Sequence, residues 1–216
     1  YAPEYENIFP KMTGWAFLYD YNCDEKPDLF TVGFRNNSIS QYINDSPPGG
    51  LHFTLIDSTM LVDGGAGGPA NIFASALLMP NFNDIDGDGD MDAFIGLGYA
   101  LNEDPNSANS ASGNVLFYKN IGTKDHASFA SAVKNPFGLK DVGKDAMPTF
   151  VDIDGDHDMD AFISNADGNT LFFKNTGTIT NPTFAASTTN PFGLAKVSGG
   201  SDAKFVDIDG DGDSDA

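Results

Sequence analysis

Apolar residues along this chain come in short runs broken by turn-forming residues, and no segment makes a convincing helix. The pattern is plainest between positions 148 and 186. Pro148–Val151 is one run, Ala161-Phe162-Ile163 a second, Thr170–Lys174 a third and Phe184-Ala185-Ala186 a fourth. Asn165-Ala166-Asp167-Gly168-Asn169 separates the second from the third. It reads as a turn, because Asn, Asp and Gly accept the backbone that tight turns need. Four short strands joined by turns predict an all-β chain.

The pattern repeats. Phe150-Val151-Asp152-Ile153-Asp154-Gly155-Asp156 returns as Phe205-Val206-Asp207-Ile208-Asp209-Gly210-Asp211, 55 residues later. Asn135-Pro136-Phe137-Gly138-Leu139 and Asn190-Pro191-Phe192-Gly193-Leu194 keep the same interval, as do Lys119-Asn120 and Lys174-Asn175. Two earlier copies are looser. Asp84 precedes Asp152 by 68 residues, and the excess falls in the polar, Ser/Asn-rich stretch Leu101–Gly113, read as an exposed hairpin tip. Asp20 precedes Asp84 by 64 residues, with extra length assigned to Gly64–Gly68 and its flanks.

A four-strand unit repeated at this period predicts a β-propeller of four-stranded antiparallel blades, each with an acidic loop between its first two strands. The repeats run at 14–74, 75–143, 144–198 and 199–216, the last cut short after its loop. Phe94, Phe117, Tyr118, Phe162, Phe172 and Phe173 are expected in the core between neighbouring blades.

Charge changes the picture. The net charge is −20 over 216 residues, which argues against nucleic acid and anionic membrane as partners. The acids are clustered: residues 84–92, 152–160 and 207–215 each hold five Asp. Carboxylates crowded this tightly are costly unless a cation neutralises them. Numbering each loop from its first Asp, oxygen-bearing side chains recur at positions 1, 3, 5 and 9. They are Asp20, Asn22, Asp24 and Asp28; Asp84, Asp86, Asp88 and Asp92; Asp152, Asp154, Asp156 and Asp160; Asp207, Asp209, Asp211 and Asp215.

Calcium takes six to eight oxygen ligands, and alternating residues of a tight loop aim their carboxylates at one centre. A backbone carbonyl at position 7 (Lys26, Asp90, Asp158 or Asp213) would add a ligand, leaving the acidic side chains there free to face solvent. Magnesium is disfavoured by its demand for octahedral geometry. An EF-hand is excluded, since position 12 is Thr31, Ile95 or Ile163 rather than Glu and the flanks are strands. Up to four calcium ions are expected, each held with a dissociation constant on the order of 10⁻⁴–10⁻³ M. Asn22 lowers the ligand charge of the first loop and Glu25 takes its turn position, so that site is expected to be the weakest. His157 stands at the same turn position of the third loop, where His tolerates left-handed backbone better than most residues.

The pattern D-x-D-x-D-G-x-x-D before a short apolar strand resembles the FG-GAP/VCBS repeats, as in the propeller of integrin α subunits and many secreted bacterial proteins. The resemblance implies a calcium-stabilised extracellular propeller, with the residues named above as ligands. It specifies function poorly.

Signs of catalysis are few. His52, His126 and His157 have no metal-ligand spacing, and no H-E-x-x-H, G-x-S-x-G or phosphate-loop lysine occurs. Cys23 is the single cysteine, so no internal disulfide can form. Asn36-Asn37-Ser38 and Asn44-Asp45-Ser46 match glycosylation sequons, meaningful only in a chain of eukaryotic source. The expectation is a secreted structural or adhesive module that grips a surface protein or polysaccharide. The alternative is a polysaccharide-active enzyme, lyase or glycosidase, or a lectin on the same scaffold. No apolar run approaches membrane-spanning length, and Tyr1 looks like a processed or trimmed start. About three and a half blades do not close a ring, so the rest is expected from further chain or another subunit.

Overall fold

The computed structural model describes residues 16–32, 39–58, 61–63, 69–71, 80–97, 113–209 and 214–215. The described residues are all-β, with three four-stranded antiparallel sheets. The first sheet takes β1 (Ala16–Tyr19), β2 (Asp28–Val32), β3 (Ile39–Asn44) and β4 (Phe53–Asp57) in chain order. A short hairpin of β5 (Leu61–Asp63) and β6 (Pro69–Asn71) follows. The second sheet takes β7 (Pro80–Asn83), β8 (Asp92–Gly96), β9 (Val115–Tyr118) and β10 (Val133–Lys134). The third takes β11 (Met147–Val151), β12 (Asp160–Ser164), β13 (Thr170–Phe173) and β14 (Thr188–Thr189). Among the described residues the only helical element is a 3-10 turn at Pro136–Gly138, and no helix is long and apolar enough to cross a membrane.

The chain forms two compact units. One comprises the described residues among 1–76 together with Asn120–Ser131; the other comprises those of 77–119 and 132–216. In the first unit Tyr21, Leu29, Phe30 and Ile39 are buried, and Phe17 stacks on Phe30 at 5.1 Å. Asn120 belongs to this unit and its Nδ2 donates to the Tyr21 hydroxyl at 3.3 Å.

In the second unit the second and third sheets share one core. Phe94, Val115, Phe117, Leu139, Val142, Ala161, Ile163, Phe173 and Phe184 are all buried in it. Phe94 packs on Phe117 at 4.9 Å and on Phe150 of β11 at 4.2 Å. Phe162 and Phe172 of the third sheet keep this spacing at 4.8 Å, and Phe162 lies 4.4 Å from Phe205. Backbones also approach closely. A Cβ at Gly96 would meet the Ala146 carbonyl oxygen at 1.7 Å, so only glycine fits there.

The recurring Asn-Pro-Phe-Gly segment has a structural explanation. Asn135 and Asn190 adopt left-handed backbone (φ 47° and 49°) just after β10 and β14. Their side-chain oxygens accept from the Val115 and Thr170 amides at 2.9 and 2.8 Å, which ends the fourth strand of each sheet in the same way.

The expected fourth strand at Phe184-Ala185-Ala186 is a correction. Phe184 buries its ring in the core and donates its amide to the Phe137 carbonyl at 2.8 Å. It makes only an isolated bridge to Asn175. The edge of β13 is taken instead by Thr188–Thr189. The Asn44 sequon is also corrected: Asn44 is buried and its Nδ2 donates to the Pro27 carbonyl. Asn36–Ser38, Gly64–Gly68, nearly all of the 101–113 stretch, Asp211 and Asp213 lie outside the described residues.

Candidate metal centre

Three of the acidic loops lie between the first two strands of a sheet: 20–27 joins β1 to β2, 84–91 joins β7 to β8 and 152–159 joins β11 to β12. Loop shape comes from the first Asp. Asp84 accepts from the amides of Asp88 (3.1 Å) and Gly89 (3.0 Å). Asp152 accepts from those of Asp156 (3.2 Å) and His157 (3.0 Å), and Asp20 from those of Asp24 (3.0 Å) and Glu25 (2.9 Å). The fifth residue then accepts from the seventh: Asp88 from Asp90, Asp156 from Asp158, Asp24 from Lys26. These bonds require left-handed backbone at position 6, and Gly89, His157 and Glu25 all have it (φ 91°, 71° and 68°). The loops are therefore built alike whatever residue takes the turn.

Three loops gather carboxylates closely enough to share one ion. Ligand oxygens of Asp84, Asp86 and Asp88 lie within 4.8 Å of one another, as do those of Asp152, Asp154 and Asp156, and those of Asp207, Asp209 and Asp215. Asp92 and Asp160, at position 9, are fully buried beside their loops on β8 and β12. Asp160 accepts the Asn175 amide on Oδ1 at 2.6 Å, while its buried Oδ2 has no hydrogen-bond partner. Asp86 Oδ1, Asp90 Oδ1 and Asp158 Oδ1 are buried and unpartnered in the same way. Anionic oxygens shut away from water without donors are unfavourable unless a cation or proton joins them. The donor set is all oxygen, which suits a hard divalent cation such as calcium.

The first loop differs. It gathers no three carboxylates within that distance among the described residues. Its ninth residue, Asp28, spends both oxygens on backbone, accepting from Tyr21 at 3.1 Å and from Asn44 at 2.8 Å. Asn22 is buried and its Oδ1 accepts from the Asp24 amide.

Position 7 departs from expectation. Asp158 is buried and Asp90 half-buried, so these side chains turn inward rather than to solvent. Burial, and then the charge of Asp88, pushes Asp90 up to about 6; burial, and then Asp156, raises Asp158. Asp160 is likewise pushed up to about 6, chiefly by burial.

Two residues of the site were visible in the sequence only as markers of the repeat. Lys119 follows β9 and Lys174 follows β13, directly across from Asp92 and Asp160 in the strand register. The Lys119 ammonium donates to Asp86 and lies 3.2 Å from Asp88. That of Lys174 donates to Asp154 and lies 3.7 Å from Asp156. Both lysines are raised by these carboxylates, and Asp154 is lowered by Lys174. The following Asn120 and Asn175 are buried and tie down the next turn: each Oδ1 accepts two amides, from Gly122 and Ser128 and from Gly177 and Thr183. The 55-residue interval of Lys-Asn was the signal, and only contact geometry gives it chemical meaning.

No family model, curated protein or solved structure matches this chain.

Proposed function

We propose that this chain is a run of calcium-binding blades from a β-propeller of the FG-GAP/VCBS type, acting as a secreted structural or adhesive module. The observation that carries the reading is the recurrence of one loop at one place in three four-stranded sheets, with unpartnered carboxylate oxygens buried in those of the second and third. A turn that merely faced water would leave those oxygens hydrated. Asp84, Asp86, Asp88 and Asp92 would hold one ion, Asp152, Asp154, Asp156 and Asp160 a second, and Asp207, Asp209 and Asp215 a third. Asp90 and Asp158 would add either a carbonyl or their inward-turned carboxylates. Calcium, when bound, would supply charge neutralisation. The sheets would then present their connecting loops to a surface protein or polysaccharide.

Calorimetric titration of the chelator-stripped protein with calcium chloride tests this, together with its melting curve. Each filled site adds about 1.5–3 kcal/mol at calcium ten- to a hundred-fold above its dissociation constant. Two or three sites should then raise the melting temperature by roughly 10 °C or more. An identical melting curve in chelator and in 10⁻² M calcium, on the order of the concentration the expected affinity requires, would remove the metal from the proposal.

A further inference from the structure

The two lysines sit where a cation is wanted, yet they cannot do a divalent ion's work. Each brings a single positive charge to a loop of five carboxylates. Each reaches positions 3 and 5 only, Lys119 to Asp86 and Asp88 and Lys174 to Asp154 and Asp156. The other oxygen of Asp86, Oδ1, and beyond the lysines' reach Asp90 Oδ1, Asp158 Oδ1 and Asp160 Oδ2, stay buried without donors. The arrangement is built twice, on the same strand position, and not in the first loop. There the register places Ile43 across from Asp28, and no ammonium can reach Asn22 or Asp24 from that position.

We propose that Lys119 and Lys174 set the divalent-ion affinity of their own loops. Each serves as an internal counter-ion that holds the third and fifth carboxylates together in the ion-free protein and withdraws from them as the ion is taken up. The proposal rests on the reading of these loops as divalent-ion sites. Two like charges cannot share the pair of carboxylates without repulsion, so the lysine lowers affinity while it protects the empty loop from self-repulsion. A lysine that were only a surface ion pair would change stability slightly and equally with or without the ion.

The test uses the full chain and four variants: K119M, K174M, the double variant and K174R. Methionine keeps an apolar stem of similar length without the charge. Calcium titration of each Met variant should show one site class tightened roughly tenfold or more, and the double variant should show two. The same variants should melt lower than the parent in chelator and regain the loss in calcium. K174R should titrate like the parent. In 1 M salt, where charges are screened beyond about 3 Å, the gap between K174M and the parent should narrow. Met variants that hold native circular dichroism in calcium yet bind it with unchanged or weaker affinity would overturn the lysine role alone. A parent chain that takes up no calcium would overturn the ion-site reading and this proposal with it.

Discussion

The first acidic loop and the third share a backbone and differ in appetite. In both, the opening Asp accepts the amides four and five residues on, and the turn residue is left-handed. In the first, the ninth residue is consumed by the fold, because Asp28 bonds Tyr21 and Asn44 through separate oxygens. In the third, Asp160 gives one oxygen to Asn175 and keeps the other buried and unmet. The first loop has Ile43 where the third has Lys174. One hydrogen-bond frame can thus make either a self-satisfied turn or a cradle that needs a cation. What faces the fifth and ninth positions decides which: in the first loop a second backbone amide, that of Tyr21, takes the oxygen that Asp160 keeps unmet.

Replacing the ninth residue separates the two most sharply. Asp28→Ala orphans two buried amides and should cost about 2–4 kcal/mol whether calcium is present or not. Asp160→Ala orphans one amide but also removes a buried carboxylate, so in chelator its cost should stay near 1 kcal/mol. In calcium it should cost more, because its ion is lost as well. Melting curves of both variants in chelator and in saturating calcium measure this. A calcium-independent Asp160→Ala, or a calcium-dependent Asp28→Ala, would erase the contrast.

Within the loops, Asp86→Ala and Asp154→Ala each remove a charged ligand and should lower the melting point in saturating calcium by the worth of one site, about 1.5–3 kcal/mol. Asn22→Ala loses one neutral turn bond and should cost about 1 kcal/mol, with little dependence on calcium. Equal shifts for all three would contradict the ranking.

These contrasts mark how far sequence reading reaches. The strand count, the loop positions and the clustering of Asp84, Asp86 and Asp88 follow from alternation and spacing, because a tight loop leaves few ways to aim its side chains. The left-handed turn at His157 was legible for the same local reason. The fourth strand was not. Phe184 reads like a strand residue but is drawn into the core between two sheets, a contact made only in three dimensions. Position 7 was missed because nothing in D-x-D periodicity says whether Asp158 has a protein wall beside it. Lys119 and Lys174 lie 33 and 20 residues from the carboxylates they touch, so their role waits on strand pairing.

Calcium should reverse the sign of the pH effect. Without the ion, Asp90 and Asp160 hold their protons up to about 6, above the ordinary Asp value of 3.8. The folded form then binds more protons than the unfolded chain between about pH 4 and 6. Stability in chelator therefore rises as pH falls through that window, by about 1 kcal/mol given partial solvent screening. Asp88 and Asp154 are lowered, so the stability they contribute is lost only at still lower pH. In saturating calcium the ion needs ionised carboxylates, and the same acidification should destabilise. Melting scans at pH 7 and pH 5, with and without chelator, should therefore slope oppositely. Parallel slopes would mean that these carboxylates are hydrated and that no ion depends on them.

The smallest effect probes the shared frame itself. His157 and Glu25 occupy the turn position at φ 71° and 68°, where Gly89 stands at 91° in the second loop. A side chain in this region costs roughly 1–2 kcal/mol of backbone strain, part of which His recovers through its tolerance of left-handed backbone. Glycine would remove the strain but loses more entropy on folding, about 0.5–1 kcal/mol. The His157 ring is exposed and its Nδ1 lies 3.8 Å from Asp152 Oδ2, a distance too long for a firm bond. His157→Gly should therefore stabilise by at most about 0.5 kcal/mol, and Glu25→Gly by somewhat more, since Glu lacks histidine's ease in this conformation. Because the turn belongs to the frame and not to the cradle, both gains should be the same in chelator and in calcium. A gain confined to calcium would show that the turn residue feels the ion, and that frame and cradle are one device.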